Sequence, residues 1–182
     1  EVHYTNAKLS AMRGNLAGAE RAARTAVEIN GRYDKAYELL ASILYSEKKY
    51  ADAIDVSDFR IARSRNAGGA WYLKGLSRYR EGNTAEAIAT WTTGLSVDPF
   101  DEVMRAALEL EVNKTVPIED ARRKEWSKWH IKNAGEYMKR FDGTGASYEY
   151  QRALKVNPTD TAARRAFAEM LDINGLHELC LE

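Results

Sequence analysis

The 182-residue chain contains one cysteine and three prolines, and both shortages restrict its fold and its chemistry. The single cysteine, Cys180, excludes a disulfide within this sequence and any site built from several thiolates. The scarcity of proline leaves long stretches that can stay helical without interruption. The sequence also lacks an apolar run of about 18 residues, the length that a membrane-spanning helix requires.

An excess of charge of one sign is missing too, because 27 basic residues balance 27 acidic ones. Nucleic acids and anionic membranes recruit proteins through an excess of basic side chains, so the overall charge favours neither partner. Hydrophobic residues make up 45% of the sequence, which is ordinary for folded proteins. We therefore expect a folded chain whose main partner is not nucleic acid.

Catalytic signatures are equally scarce. His3, His130 and His177 lie far apart in the sequence and lack the spacing of metal ligands. No serine stands in the Gly-x-Ser-x-Gly turn that exposes a hydrolase nucleophile. We expect no enzymatic activity, no cofactor, no metal ion and no small-molecule substrate.

What the sequence does contain is a repeat of 34 residues. This spacing relates two sets of small residues: Ala19, Ala53 and Ala87, and Ala7, Ala41 and Gly75. A period of this length indicates supersecondary units that stack, because one unit cannot bury its own apolar side without a neighbour. The pattern predicts an all-α solenoid of antiparallel helix pairs.

One stretch of the chain carries a family resemblance. It contains Ala70-Trp71-Tyr72-Leu73-Lys74-Gly75, then Tyr79, Gly82-Asn83, Ala87-Ile88, Trp91, Leu95 and Asp98-Pro99. These residues resemble a tetratricopeptide repeat (TPR), a helix–turn–helix unit with the same period. The resemblance implies an α-α superhelix of about four to five repeats.

We expect a single TPR-like array over residues 1–182. Its repeats are predicted at 1–33, 34–67, 68–101 and 127–160, with an irregular pair at 102–126 and a partial repeat at 161–182. The period slips within the irregular segment 101–126. There we predict one helix at 101–112 and a longer helix at 118–141.

Arg60 departs from the resemblance, because TPR units place a small residue at this position. A guanidinium inside a helix pair must reach solvent or a carboxylate. We expect Arg60 to reach solvent or to pair with Asp55 or Asp58 on its own helix.

In TPR arrays the first helix of each pair lines a concave groove, and the resemblance assigns that face here. The predicted groove residues are Tyr4, Lys8, Lys35, Glu38, Ser42, Tyr45, Tyr72, Leu76, Tyr79 and Arg80. Tyrosine and arginine dominate many interfaces, and the strip suits a helical or extended segment of another protein. The cationic clamp by which some TPR domains hold acidic chaperone tails is missing, since Leu39, Gly69 and Leu73 occupy three of its places.

A basic stripe between residues 114 and 140 offers a secondary surface. Lys124, Lys128 and Lys132 follow one another at helical spacing, and Arg123 lies beside them. A solvated helix face is the plain interpretation. Two alternatives are that the stripe binds an acidic protein or that it binds a nucleic acid.

These observations predict a protein–protein interaction scaffold or adaptor within a multiprotein complex, and we favour a bacterial envelope or motility assembly as its setting. Two alternatives stay open: a regulatory TPR module of a larger enzyme whose catalytic domain lies outside this sequence, and nucleic-acid binding through the 114–140 stripe. The residues also leave open self-association through the array ends. They do not decide between a cytoplasmic and a periplasmic or envelope-associated location.

The repeat frame makes a prediction about Ala87. If Ala87 lies where two helices cross closely, Ala87→Leu will overpack that crossing and destabilise the chain by about 1–3 kcal/mol. Thermal unfolding measures the effect. A melting temperature equal to that of the unmodified chain would contradict the assigned frame.

Overall fold

A computed structural model gives the fold and describes residues 1–173 and Gly175. This part of the chain contains ten α-helices and no strand, which confirms the all-α prediction. The helices are α1 Val2–Met12, α2 Leu16–Ile29, α3 Asp34–Ser46, α4 Tyr50–Arg63, α5 Gly68–Arg80, α6 Thr84–Val97, α7 Glu102–Thr115, α8 Arg122–Lys139, α9 Gly143–Val156 and α10 Thr161–Ile173. The end of the predicted partial repeat, with His177 and Cys180, lies outside the described residues.

The helices form two compact units. Unit 1 spans Glu1–Leu108 and contains α1 to α6, and unit 2 begins at Glu109, so the division falls inside α7. Sequential helices pack against each other within each unit: α1 to α5 in succession and α5 on α6 in unit 1, and α8, α9 and α10 in succession in unit 2. None of the helices in the described residues is long and apolar enough to cross a membrane.

The repeated alanines occupy equivalent places. Ala19, Ala53 and Ala87 are each the fourth residue of α2, α4 and α6, and each is fully buried. In unit 2, Ala146 is the fourth residue of α9 and is fully buried as well. A methyl group at this position lets the second helix of each pair approach its neighbours closely, as the period of the sequence predicted.

The turn inside each helix pair repeats too. The residue five places before each of these alanines has a positive φ: Gly14 at 77°, Lys48 at 62°, Gly82 at 86° and Phe141 at 58°. Glycine adopts this left-handed conformation easily, whereas lysine and phenylalanine adopt it at a cost. The turn geometry is therefore kept in all four pairs even where the sequence lacks glycine.

Helices α5 and α6 cross closely at Gly75. Gly75 of α5 faces the indole of Trp91, and a Cβ atom at position 75 would overlap that ring. Trp91 is almost fully buried, and its Nε1 donates a hydrogen bond to the carbonyl oxygen of Tyr72 at 3.1 Å. The large side chain thus fills the space that the glycine leaves.

Each proline is followed by an arginine that holds its carbonyl group. Arg105, Arg123 and Arg164 donate to the carbonyl oxygens of Pro99, Pro117 and Pro158, each six residues upstream. An aspartate near each proline accepts a backbone N–H at the start of the next helix: Asp101 from Met104, Asp120 from Arg122, and Asp160 from Ala163. Proline, aspartate and arginine together fix where α7, α8 and α10 begin.

These turns correct the predicted bounds of the irregular segment. Helix α7 continues to Thr115 instead of ending at residue 112, and α8 begins at Arg122 instead of residue 118. Residues 117–120 form a turn in which Asp120 N–H donates to the carbonyl oxygen of Pro117. The Asp120 side chain accepts from the backbone N–H of Arg122, so this turn ends where α8 begins.

The structure also corrects the prediction for Arg123, which does not lie on the predicted basic surface. Its side chain is buried, and its guanidinium donates to the carbonyl oxygens of Val112, Val116 and Val156. Carbonyl groups at the C-terminal ends of α7 and α9 carry partial negative charge that a buried cation neutralises. Arg123 therefore stabilises unit 2 from within.

The crossing of α5 and α6 makes a prediction about Gly75. Gly75→Ala should destabilise the chain by about 1–3 kcal/mol, because the new methyl group meets the Trp91 ring. Gly69→Ala is the matched control in the same helix, since nothing lies within 4 Å of a Cβ at that position. Urea denaturation should show Gly69→Ala to be neutral or slightly stabilising. Equal stability of the two variants would contradict the packing described here.

Candidate functional site

The ten predicted groove residues all lie on the first helices of unit 1, and none of them is buried. Tyr4 and Lys8 are on α1, four residues from Lys35 to Tyr45 are on α3, and four from Tyr72 to Arg80 are on α5. Across this face the Arg80 Nε donates a hydrogen bond to the Tyr45 hydroxyl at 3.0 Å. The structure thus makes the whole predicted strip accessible and links α3 to α5.

A cavity of about 280 Å³ opens between α3, α4 and α5. Its apolar wall is formed by Tyr37, Ala41, Val56, Gly69, Tyr72 and Leu73. Glu38, Ser42, Ser57 and Arg60 contribute the polar atoms. Three of the predicted groove residues line the cavity, namely Glu38, Ser42 and Tyr72. Tyr45, Leu76, Tyr79 and Arg80 do not line it and lie further along the same helices.

The cavity exists because a large side chain is missing. Ser57 of α4 stands 34 residues before Trp91 of α6 and therefore occupies the same place in its own repeat. Trp91 fills the space beside Gly75, whereas Ser57 leaves the corresponding space beside Ala41 empty. Tyr150 holds this position in unit 2 and is buried there. Sequence reasoning missed Ser57, although aligning it with Trp91 in the 34-residue frame would have found it.

Arg60 also breaks the repeat, in the same helix as Ser57. The equivalent residues are small: Ala26 in α2, Gly94 in α6 and Ala153 in α9, all buried. The Arg60 side chain is 11% exposed and lines the cavity. A cation thus stands where the other three repeats place at most a methyl group.

The predicted partners of Arg60 are wrong. Its Nη2 lies 3.2 Å from Asp34 Oδ2, and its Nε lies 3.6 Å from Glu38 Oε1, both on α3. Asp58 instead accepts from Lys74 Nζ at 2.6 Å. Helix positions two and five residues apart do not share a face, so neither Asp55 nor Asp58 can meet Arg60.

The secondary basic surface is reduced in the structure. Lys124, Lys128 and Lys132 are exposed on α8, but Lys128 Nζ is paired with both carboxylate oxygens of Glu125, at 2.7 and 2.8 Å. Because Arg123 is buried, the stripe consists of three lysines, one of which is locally neutralised. Nothing about this arrangement adds support for a nucleic-acid site.

Unit 2 contains a buried ionic cluster that the sequence did not reveal. His130 is fully buried, and its Nδ1 and Nε2 each lie 2.6 Å from a carboxylate oxygen, of Glu149 and Glu109 respectively. Both ring nitrogens of His130 are thus within hydrogen-bonding distance of a carboxylate oxygen. Arg152 Nη2 also donates to Glu109 at 3.0 Å. Within the described residues no group of histidine, cysteine and acidic side chains could hold a metal ion.

No protein-family model and no curated protein matches the chain. Solved structures with the same helical arrangement do match, at low sequence identity. A TPR repeats protein from Bacteroides fragilis is 15% identical with a TM-score of 0.56, over 94% of this chain and 97% of that one. The TPR2AB domain of yeast Sti1, solved with pHSP90, is 15% identical with a TM-score of 0.55, over 93% of this chain and 69% of that one.

An O-GlcNAc transferase from Thermobaculum terrenum is also similar, at 15% identity and a TM-score of 0.58. That match covers 75% of this chain but 26% of the transferase. Together these similarities confirm the TPR-like fold that the family resemblance implied. The chain is an assembly of TPR-like helix pairs.

The ionic cluster of unit 2 predicts how acid affects stability. The pKa of Glu109 is lowered from 4.5, because hydrogen bonds and charges of His130 and Arg152 outweigh the burial that would raise it. A lowered folded-state pKa means that the contribution of Glu109 is present above about pH 4.5 and is lost as the pH falls through the folded-state value. Glu109→Gln should therefore flatten the fall in unfolding free energy below pH 4.5.

Urea denaturation at a series of pH values measures this acid dependence. Glu119→Gln is the control, because Glu119 is exposed in the same unit and the substitution should leave the dependence unchanged. If Glu109→Gln and the unmodified chain lost stability in parallel below pH 4.5, the cluster would not be the source of acid sensitivity.

Proposed function

We propose that unit 1 binds a segment of another protein along the face formed by α1, α3 and α5, and that the α3–α4–α5 cavity receives an apolar side chain of that segment. The single observation that carries this proposal is the cavity itself, which opens among residues of the predicted groove. The TPR-like fold supports a protein-binding scaffold in general. Where on the fold the partner binds, and what kind of segment it presents, are the points that we propose.

The size of the cavity favours a side chain over a cofactor. Sites for small molecules and cofactors commonly enclose about 300–1,000 Å³, and this cavity lies just below that range. Its wall is mainly aromatic and aliphatic, and it holds one acidic and one basic side chain, Glu38 and Arg60. An uncharged, apolar anchor is therefore the occupant that the lining suits.

The surroundings of the cavity supply a larger contact area. Tyr45, Tyr72 and Tyr79 are half-buried, which leaves ring surface open to a partner, and Arg80 is exposed next to them. Tyrosine and arginine carry much of the binding energy in known interfaces because they combine apolar area with hydrogen bonding. A partner that places one side chain in the cavity can extend over these residues.

An acidic tail is not the partner that this surface fits. Leu73 lines the cavity wall and Leu39 packs against the apolar core of unit 1, where a clamp for terminal carboxylates would need cations or amides. The similarity to the Sti1 domain therefore supports the fold alone.

Tyr72 and Tyr79 provide the first test. Random peptides displayed on phage are selected on the immobilised chain, and their affinities are measured by calorimetry. Tyr72→Ala or Tyr79→Ala should weaken the selected peptides by about 2 kcal/mol, or roughly 30-fold, while the melting temperature stays close to that of the unmodified chain. Tyr148→Ala, at an exposed tyrosine of unit 2, is the matched control and should change nothing.

Ser57→Leu tests the cavity directly, because it places apolar volume where Trp91 stands in the next repeat. The variant should fold and lose affinity for the same peptides. Unchanged affinity in the Tyr72, Tyr79 and Ser57 variants together would show that the site lies elsewhere.

The enzyme-module interpretation remains a second candidate, on the similarity to the transferase. A catalytic domain in the same open reading frame would establish it, and the groove of unit 1 would then hold a substrate or a regulatory segment. Sequencing the full reading frame decides this question without any assay.

A further inference from the structure

We infer that the occupant of the α3–α4–α5 cavity presents an uncharged oxygen acceptor beside its apolar side chain, and that Arg60 donates to this oxygen. The inference rests on the proposed function, since it names the chemistry of the segment that the cavity receives. It makes Arg60 the residue that determines specificity at this site.

The hydrogen-bonding state of Arg60 is the first argument. A guanidinium carries five N–H donors. Nε and Nη1 of Arg60 are buried, and neither has a hydrogen-bond acceptor within the part of the chain that the structure describes. Buried donors without acceptors are costly, and native proteins rarely keep them without a reason. An acceptor entering the cavity would remove this cost.

The two serine hydroxyl groups of the cavity do not compete for that acceptor. The Ser57 hydroxyl donates to the carbonyl oxygen of Ala53 at 2.7 Å, and the Ser42 hydroxyl donates to that of Leu39 at 3.1 Å. Both serine donors are therefore used within their own helices. Arg60 is the cationic donor that the cavity wall still offers.

The charges around Arg60 make an uncharged acceptor the better fit. Asp34 and Glu38 approach Arg60 at 3.2 and 3.6 Å, and Asp34 is also 3.6 Å from Arg63 Nη2. Two carboxylates thus already balance two guanidinium groups. A carboxylate entering the cavity would gain from Arg60 but would be repelled by Glu38, which lines the same wall.

These ion pairs are long, so the Arg60 guanidinium can change its position when an acceptor enters the cavity. Separations of 3.2 and 3.6 Å are longer than the 2.7–2.9 Å that is typical of charge-assisted hydrogen bonds. Nε and Nη1 lie beneath the cavity surface, so Arg60 must turn outward to reach an acceptor, and it must then lengthen its two contacts with Asp34 and Glu38.

A main-chain carbonyl group is the acceptor that meets these conditions. Carbonyl groups inside a helix are already paired, whereas those of an extended segment or of the last helical turn are available. The partner therefore binds here as an extended segment or by the C-terminal turn of a helix. The middle of a helix would bring its apolar side chain without a usable oxygen.

Three small probes test this inference on the whole chain. N-acetyl-phenylalanine N-methylamide has an apolar ring and uncharged carbonyl groups, N-acetyl-phenylalanine has the ring and a carboxylate, and toluene has the ring alone. Titrations followed by ¹H–¹⁵N NMR at the amide groups of Gly69 and Tyr72 report binding at the cavity. The methylamide should bind about tenfold more tightly than either other probe.

Arg60→Met keeps the length of the side chain and removes its donors. This variant should bind the methylamide and toluene equally, whereas Arg21→Met, at an exposed arginine of α2, should retain the tenfold preference. The ranking of the three probes on the unmodified chain tests the inference independently, should Arg60→Met fail to fold.

The outcomes separate this inference from the proposed function. If toluene and the methylamide bound the unmodified chain equally, water would satisfy Arg60 and the inference would be overturned, while the cavity would stand as a binding site. Tighter binding of the carboxylate would overturn it too, because the acceptor would then be an anion. If no probe perturbed Gly69 or Tyr72, both the inference and the cavity as the site would fail.

Discussion

The structure depends on one constraint, the close approach of helices at a small residue on the second helix of each pair. Ala19, Ala53, Ala87 and Ala146 are all fully buried at the same helical position, each five residues after a left-handed turn. Because this geometry is fixed, neighbouring positions on the same helix face can vary only in how they fill the remaining space. The variation among those positions is where the repeats acquire different properties.

Two such positions differ among the repeats: the second repeat shares a small residue with the first repeat at one of them, and it alone has a large residue at the other. Four residues after the alanine stand Ala23, Ser57, Trp91 and Tyr150, and seven residues after it stand Ala26, Arg60, Gly94 and Ala153. In the third repeat the pair is a large ring and a glycine, which gives a closed core. In the second repeat the order of sizes is reversed, and the result is an open cavity with a cation in its wall.

Features that follow from the periodicity of the sequence could be predicted. Features that depend on contacts between different helices, such as the cavity, could not. The 34-residue frame located the paired helices, because burial at regular spacing is a property of one chain segment, and the family resemblance assigned the face that they leave accessible. It could not locate the cavity, since an empty volume depends on α3, α4 and α5 together. Arg123 illustrates the same limit: it precedes Lys124 by one residue, so it lies about 100° around the helix from the lysine stripe and enters the interior.

Stability alone does not explain why Ser57 and Arg60 occur together. A larger apolar residue at position 57 would fill the cavity, and a small residue at position 60 would remove two buried donors that have no acceptor among the described residues. Natural sequences break such local rules mainly where function requires it, and here two violations open onto the same 280 Å³. The buried cluster of His130, Glu149, Glu109 and Arg152 shows the contrast, because there buried charges are satisfied by one another. A nearly buried cation with two donors unused among the described residues, beside an apolar cavity, therefore supports the proposed binding interaction.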